Sequence, residues 1–260
     1  MKHNGSLRRT IGTAVCLCIL CSAAAAFEPG KRAEHNPREI LERVDKMMHG
    51  DSSSGILVMT VQAEHWTRTL EVQFSTKGDD RFLVRILSPK KEKGTATLRS
   101  GSDIWNYLPK TNRVIKVPSV SLASSWMGSH FTYDDMLKDR RLADDFLSAV
   151  TNEEATESGL LVEITGTPKP DAPVVWGSIR VVVNTDLDLP RWIRYYDENG
   201  GLVRTLEFSD IGPLGGRRLP RRQRMTPAEK PGEFTDVVYR DLVFNPDLDD
   251  AFFSLRALQR

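Results

Sequence analysis

From Gly55 onward the apolar and polar positions alternate with a period of two. Leu57, Met59, Val61 and Ala63 interleave with Val58, Thr60, Gln62 and Glu64, and Leu70, Val72 and Phe74 interleave with Thr69, Glu71 and Gln73. Phe82, Val84 and Ile86 do the same against Arg81, Leu83 and Arg85. Alternating side chains on opposite faces is the signature of a half-buried strand, and turn residues such as Lys77-Gly78-Asp79-Asp80 and Ser88-Pro89-Lys90 bound each run. Further strands are predicted at 94–99, 103–108, 113–117, 160–165, 174–183, 191–196, 202–208, 219–225 and 235–243. Asn199-Gly200 lies between two of these runs and predicts a hairpin whose two turn residues both take positive φ.

Two stretches depart from this period. At residues 36–50, Ile40, Leu41, Val44, Met47 and Met48 share one helical face. Asn36 is placed to cap that helix, Pro37 takes its first position, Glu39 completes a capping box and Gly50 ends it. Residues 118–141 break the alternation and end in a short helix near 134–138, and 249–258 closes the chain as another. The connections are too short for parallel crossovers, so the strands predict one curled antiparallel sheet of about eleven strands, an unclosed barrel. Ile56–Val61 and Val174–Val183 carry apolar residues on both faces, which requires helices over the concave side and favours an apolar cavity there.

The first 26 residues change the picture of where the chain works. Lys2, Arg8 and Arg9 precede an apolar run at 11–20 and the small residues Ser22–Ala26, a pattern that predicts a secretory signal peptide cleaved before Phe27 and a mature domain of residues 27–260 in the periplasm. The run is short for a membrane anchor, which needs about 20 apolar residues. Cys16, Cys18 and Cys21 are the only cysteines and read as ordinary residues of that run, lipidation being the alternative. A mature chain would then hold no disulfide, no thiolate and no cysteine metal site. Removing the three basic residues shifts the net charge from +1 to −2, which is no footprint for nucleic acid. No later segment approaches membrane-spanning length, so a soluble mature protein is expected.

Candidate chemistry is sparse. Ser129, His130 and Asp134 invite a triad reading, but neighbours on an extended chain point apart, and no nucleophile-elbow glycines surround Ser129. Asp134 and Asp135 fit the start of a short helix better, where carboxylates suit the dipole. His35, His49, His65 and His130 lie at no metal-ligand spacing, and Gly212–Gly216 lacks the lysine and following helix of a phosphate cradle. No catalytic residue, metal or cofactor is therefore expected. Arg217, Arg218, Arg221, Arg222 and Arg224 read either as a solvated strand edge or as a contact for anionic headgroups or an acidic partner. Trp126, Met127 and Phe131 sit among Ser and Gly, either plugging their own core or forming a mobile lid over an apolar guest.

Asp103-Ile104-Trp105-Asn106-Tyr107-Leu108-Pro109-Lys110, then 113–118, then Met127-Gly128-Ser129 with Phe131-Thr132-Tyr133-Asp134-Asp135 resemble the LolA-like outer-membrane lipoprotein-sorting family. The resemblance is to its divergent periplasmic branch carrying W-x-Y-L-P-K and M-G-S-x-F-T-Y-D-D signatures. It implies about eleven strands in an unclosed barrel with helices in the concave face, and a cavity for lipid or lipoprotein acyl chains without covalent chemistry. It also implies an association, in that branch, with inner-membrane transporters of the resistance-nodulation-division type. The candidate cavity and lid residues are Leu57, Met59, Val61, Leu70, Val72, Phe74, Phe82, Val84, Ile86, Trp105, Tyr107, Trp126, Met127 and Phe131. The rival expectation is a non-enzymatic accessory with a filled core that docks on a transporter.

Overall fold

The computed structural model describes residues 35–137 and 141–259, together with Met1. The expected signal segment and its cleavage before Phe27 lie outside the described residues. Helix α1 (Pro37–Lys46) begins as its sequence dictates: the Asn36 side chain accepts from the backbone N–H groups of Arg38 (3.1 Å) and Glu39 (3.5 Å), while its amide donates to Glu39 Oε1 (2.9 Å). Ile40, Leu41 and Val44 form its buried stripe. The helix ends at Lys46, earlier than Gly50. That glycine instead permits close packing, since a Cβ there would lie 2.3 Å from Asn245 Oδ1.

Thirteen strands follow, rather than about eleven: β1 (Ser52–Gln62), β2 (Thr67–Lys77), β3 (Arg81–Ser88), β4 (Ala96–Ser100), β5 (Asp103–Leu108), β6 (Arg113–Lys116), β7 (Phe146–Thr156), β8 (Gly159–Pro168), β9 (Ser178–Asn184), β10 (Leu189–Tyr196), β11 (Leu202–Leu214), β12 (Arg217–Pro227) and β13 (Phe234–Phe244). All pair antiparallel in one sheet, ordered β6-β5-β4-β3-β2-β1-β13-β12-β11-β10-β9-β8-β7. The strand absent from the sequence reading is β7. It is an edge strand whose only buried residue is Phe146, and its Asn152-Glu153-Glu154 stretch leaves no alternation to read. β9 begins at Ser178, four residues later than expected. At the β10–β11 hairpin only Gly200 takes a positive φ (79°). The Asp197 carboxylate accepts from the N–H groups of Asn199 and Gly201, both at 2.8 Å, and this builds a wider turn than a two-residue one.

Register decides which face is which. Met59 sits opposite Leu70 and Val237, and Leu57 opposite Val72 and Tyr239. Phe74 sits opposite Val84, and Leu206 opposite Ile193 and Met225. These rows share the inner face. Because β3 and β10 are six neighbours apart yet border one cavity, the sheet must curl strongly. The chain leaves one sheet edge at β6 and re-enters at the other as β7, and the described residues between them, 117–137 and 141–145, lie across the inner face. This crossing segment carries short turns at Ser119–Ser121 and Trp126–Gly128, then α2 (Tyr133–Leu137) and α3 (Leu142–Asp145).

The expected inner cover by every helix is corrected at the C-terminus. The Asp250–Phe253 turn and α4 (Leu255–Leu258) pack on the outer face, where Phe253 and Leu258 join Leu83, Ala96, Leu98 and Tyr107. Arg85 fastens α4 there by donating to the carbonyls of Ala257 (2.9 Å) and Leu258 (3.2 Å). Two further apolar clusters lie inside. One joins α1 to β8–β11, and the other joins β1–β3 to Trp126, Phe131, Tyr133 and Met136.

Candidate functional site

The inner face holds an apolar cavity of about 330 Å³ that is open to solvent on part of its surface. One wall is Leu57, Met59, Val72, Phe74, Phe82 and Val84; the other is Ile193, Tyr195, Leu206, Phe208, Met225, Val237 and Tyr239. α1 contributes Val44, Met47 and Met48, the segment before β9 contributes Val174 and Trp176, and the crossing segment contributes Trp126, Phe131 and Met136. Phe74 meets Tyr239 edge-on at 5.8 Å, tying the two walls together. One end is polar, with Asp45, Asp134, Asp135, Arg141 and Asp145.

The crossing segment is held by hydrogen bonds drawn from the residues of both signature stretches. Trp126 Nε1 donates to Thr97 Oγ1 (3.0 Å), Thr97 Oγ1 donates to Asn106 Oδ1 (2.8 Å), and Asn106 Nδ2 donates to Tyr133 Oη (2.7 Å). The asparagine of the Trp105-Asn106-Tyr107 stretch thus faces inward, which turns Trp105 and Tyr107 to the outer face under α4. Thr132 and Asp135 form a capping box at α2: Thr132 Oγ1 accepts from Asp135 N (3.1 Å) and Asp135 Oδ2 accepts from Thr132 N (2.7 Å). Asp135 also receives Arg204 of β11 through both terminal nitrogens, at 2.9 and 2.5 Å. Arg204 is 6 % exposed and lies between the rings of Trp176 (4.5 Å) and Tyr195 (4.6 Å). Burial alone would lower the Arg204 pKa, but the hydrogen bonds and charge of Asp135 outweigh it and hold it above its ordinary value. At the far end, Asp45 of α1 accepts from the N–H groups of Leu142 (3.3 Å) and Ala143 (3.0 Å), capping α3.

Of the candidate residues, Leu57, Met59, Val72, Phe74, Phe82, Val84, Trp126 and Phe131 line the cavity. Val61, Leu70 and Ile86 lie on the same face but are fully buried beneath the crossing segment, where Met127 also packs. Met127 adopts a left-handed conformation (φ 53°), and with Gly128 (φ 70°) it reverses the chain so that Trp126 N donates to Phe131 O (2.8 Å). Trp126 is therefore a packed anchor, 6 % exposed. The reading missed the second wall, although β10–β13 show the same alternation. Nothing in a single sequence tells which parity of one strand faces which parity of another nine strands away in chain order.

The triad residues part company. Ser129 Oγ donates to Trp126 O (2.7 Å), whereas His130 bonds Thr235 Oγ1 through Nδ1 (2.9 Å) and Glu233 Oε2 through Nε2 (3.0 Å). The His130 hydrogen bond, outweighing burial, lowers the Glu233 pKa. The arginine cluster lies on an interior strand rather than at an edge. Arg222 and Arg224 both clamp Asp236, Arg221 bonds Asp210 (2.7 Å), and Arg217 stacks on Phe244 (3.7 Å).

A family model described as an uncharacterized protein matches residues 78–260. No curated protein matches the chain. Among solved structures, a DUF1329 family protein from Desulfovibrio piger ATCC 29098 aligns with a TM-score of 0.75 at 24% identity, covering 85% of this chain and 97% of its own. A LolA superfamily protein from Nitrosomonas europaea aligns with a TM-score of 0.71 at 22% identity, covering 86% and 99%. A protein domain from Vibrio parahaemolyticus, described as outer membrane lipoprotein-sorting, aligns with a TM-score of 0.71 at 21% identity, covering 86% and 98%. The chain therefore belongs to the family of uncharacterized proteins matched over residues 78–260, and its fold is that of the LolA superfamily.

Proposed function

We propose that this protein is a periplasmic carrier or chaperone that holds lipid, or the acyl chains of a lipoprotein, in the inner cavity for delivery toward the outer membrane. The observation that carries the reading is the cavity itself. Its apolar lining borders about 330 Å³ of space open to solvent, and an acyl chain lying in it hides methylenes worth about 0.8 kcal/mol each from water. A carrier fold of this kind binds rather than converts, and the commitments of Ser129 and His130 to structural hydrogen bonds support that reading. The basic residues and short apolar run at the amino terminus, read as an export signal, support a periplasmic location. Among the described residues no helix is long and apolar enough to cross a membrane.

The test is native mass spectrometry of the protein purified from the bacterial envelope, with extraction and identification of any lipid carried. A bound lipid or acylated peptide that is lost in Phe131→Asp supports the carrier. A clean protein mass that takes up no added phospholipid or lipopeptide refutes it and favours an accessory that docks on an inner-membrane transporter.

A further inference from the structure

We infer that one rim of the sheet docks on an anionic lipid surface, with Trp66 at the bilayer interface and a lysine cluster against the headgroups. This stands apart from the carrier reading, since it does not depend on what the cavity holds. Four turns build the rim, all at the same end of neighbouring strands: those between β1 and β2, β3 and β4, β5 and β6, and β12 and β13. Glu64 N donates to Glu233 Oε1 (3.3 Å), which joins the first turn to the last. Arg68 meets Glu92 (3.5 Å), and a Cβ on Gly94 would lie 3.6 Å from Pro109, which ties in the other two. Trp66 stands at the tip of the first turn, 45 % exposed, whereas the other four tryptophans are half-buried or buried. Its ring lies beneath the Arg68 guanidinium, 5.4 Å away. An indole presented to solvent, apolar in its body and polar at its N–H, suits the boundary between headgroups and acyl chains.

The charges of the rim point the same way. Lys90, Lys91, Lys93, Lys110 and Arg113 are all exposed, and none forms an ion pair with another described residue. The rim's carboxylates are fewer, and two are engaged: Glu92 by Arg68 and Glu233 by His130 (3.0 Å), which leaves Glu64 and Glu229 exposed. The other ends of β1 to β6 carry the opposite sign. Asp51, Asp79, Asp80 and Asp103 lie there, and Asp250 joins them through Lys77 and Arg81. A chain of net charge +1 that gathers unpaired cations at one end and carboxylates at the other meets an anionic surface in one orientation. Each Lys or Arg held near such a surface strengthens binding about fivefold. The rim also abuts the cover of the cavity. A Cβ on Gly128 would lie 3.3 Å from Arg68 Nη2 and 3.8 Å from Trp66 Cη2, while Trp126 and Phe131 of the same hairpin line the cavity. A bilayer docked here is one hairpin away from the apolar interior.

The test is co-sedimentation of the protein, purified from the envelope, with vesicles of phosphatidylglycerol and phosphatidylethanolamine and with vesicles of phosphatidylcholine. Binding is expected to the anionic vesicles alone and should fade as the salt is raised to about 0.5 M. Replacing Lys90, Lys91 and Lys93 together by Gln should weaken it at least tenfold. Replacing the exposed Arg191, Arg218 and Arg240 by Gln removes the same charge away from the rim and should leave it within about twofold. An equal loss in both triple variants would show that net charge rather than the rim is responsible, and would overturn the proposal. Trp66→Phe should abolish the blue shift of tryptophan emission that the anionic vesicles induce; an unchanged shift would place another face of the protein at the bilayer and overturn it as well. No binding to the anionic vesicles would also overturn it, leaving an acidic protein surface as what the rim fits, and would leave the carrier reading standing.

Discussion

The ion pair between Asp135 and Arg204 fastens the crossing segment to β11, and Asp135→Asn isolates what it contributes. The substitution keeps the side-chain shape and one acceptor oxygen. It leaves the Arg204 guanidinium, 6 % exposed and wedged between Trp176 and Tyr195, without its hydrogen-bonded countercharge, Asp134 acting on it only through space. Removing one member of a buried pair costs about 3–5 kcal/mol, chiefly through the charge left behind. The retained hydrogen bond puts this variant near the lower figure, about 3 kcal/mol. At roughly 2–4 °C per kcal/mol for a domain of this size, the melting temperature should fall by about 10 °C. Urea unfolding of the wild type, Asp135→Leu, Arg204→Met and the double variant gives the coupling. The double variant should cost little more than either single one, since no orphaned charge remains, and the coupling should exceed about 2 kcal/mol. Additivity within about 0.5 kcal/mol would refute the claim that this pair acts as one buried unit.

Three further outcomes follow from the same geometry. Burial would raise the Asp236 carboxyl, but hydrogen bonds from Arg224 and Arg222 prevail and hold it at about 2 rather than 3.8. Its folded pKa is depressed, so its contribution, on the order of 2 kcal/mol, is complete above pH 3.8 and is lost as the pH falls toward 2. Asp236→Asn should lower stability by about that amount at pH 7 and converge with the wild type near pH 2; parallel acid unfolding curves would contradict it. Asn106→Ala strands the hydroxyls of Thr97 and Tyr133 and should cost about 1–3 kcal/mol, with faster amide exchange over 122–136; unchanged exchange would show that the segment is held elsewhere. Phe131→Asp places a charge against the cavity and should cut lipid uptake at least tenfold, whereas Trp105→Phe on the outer face should leave uptake within about twofold; a loss in the second would mean that the faces are assigned wrongly.

Much of the fold could be read from periodicity because most of the strands bury one or both faces and therefore alternate. The α1 cap was legible for a different reason: Asn36, Pro37 and Glu39 satisfy backbone groups within one turn, a local matter. β7 escaped because it buries only Phe146 and its Asn152-Glu153-Glu154 run interrupts the period. The cavity was half legible. The parity of β1–β3 placed Leu57, Met59, Val72, Phe74, Phe82 and Val84 together, but only the pairing of β1 with β13 shows that Val237, Tyr239 and Met225 stand across from them. Trp105 and Tyr107 show the opposite failure. Large aromatics in a strand invite a ligand reading, yet it is the small polar Asn106 between them that faces inward and is bonded to Tyr133.

The strand order has a kinetic consequence. β2 to β6 and β7 to β12 are two meanders of nearest neighbours, each able to form as soon as its own residues are available. They become one sheet only when β1 finds β13, a pairing that brings Met59 beside Val237 from 178 positions away. Until that pairing zips, each half displays one wall of the future cavity to water. Long-range closure is the slow step expected of such a topology, so it and the creation of the cavity are then the same event, and a chain emerging amino-terminus first cannot build its cavity until β13 has arrived.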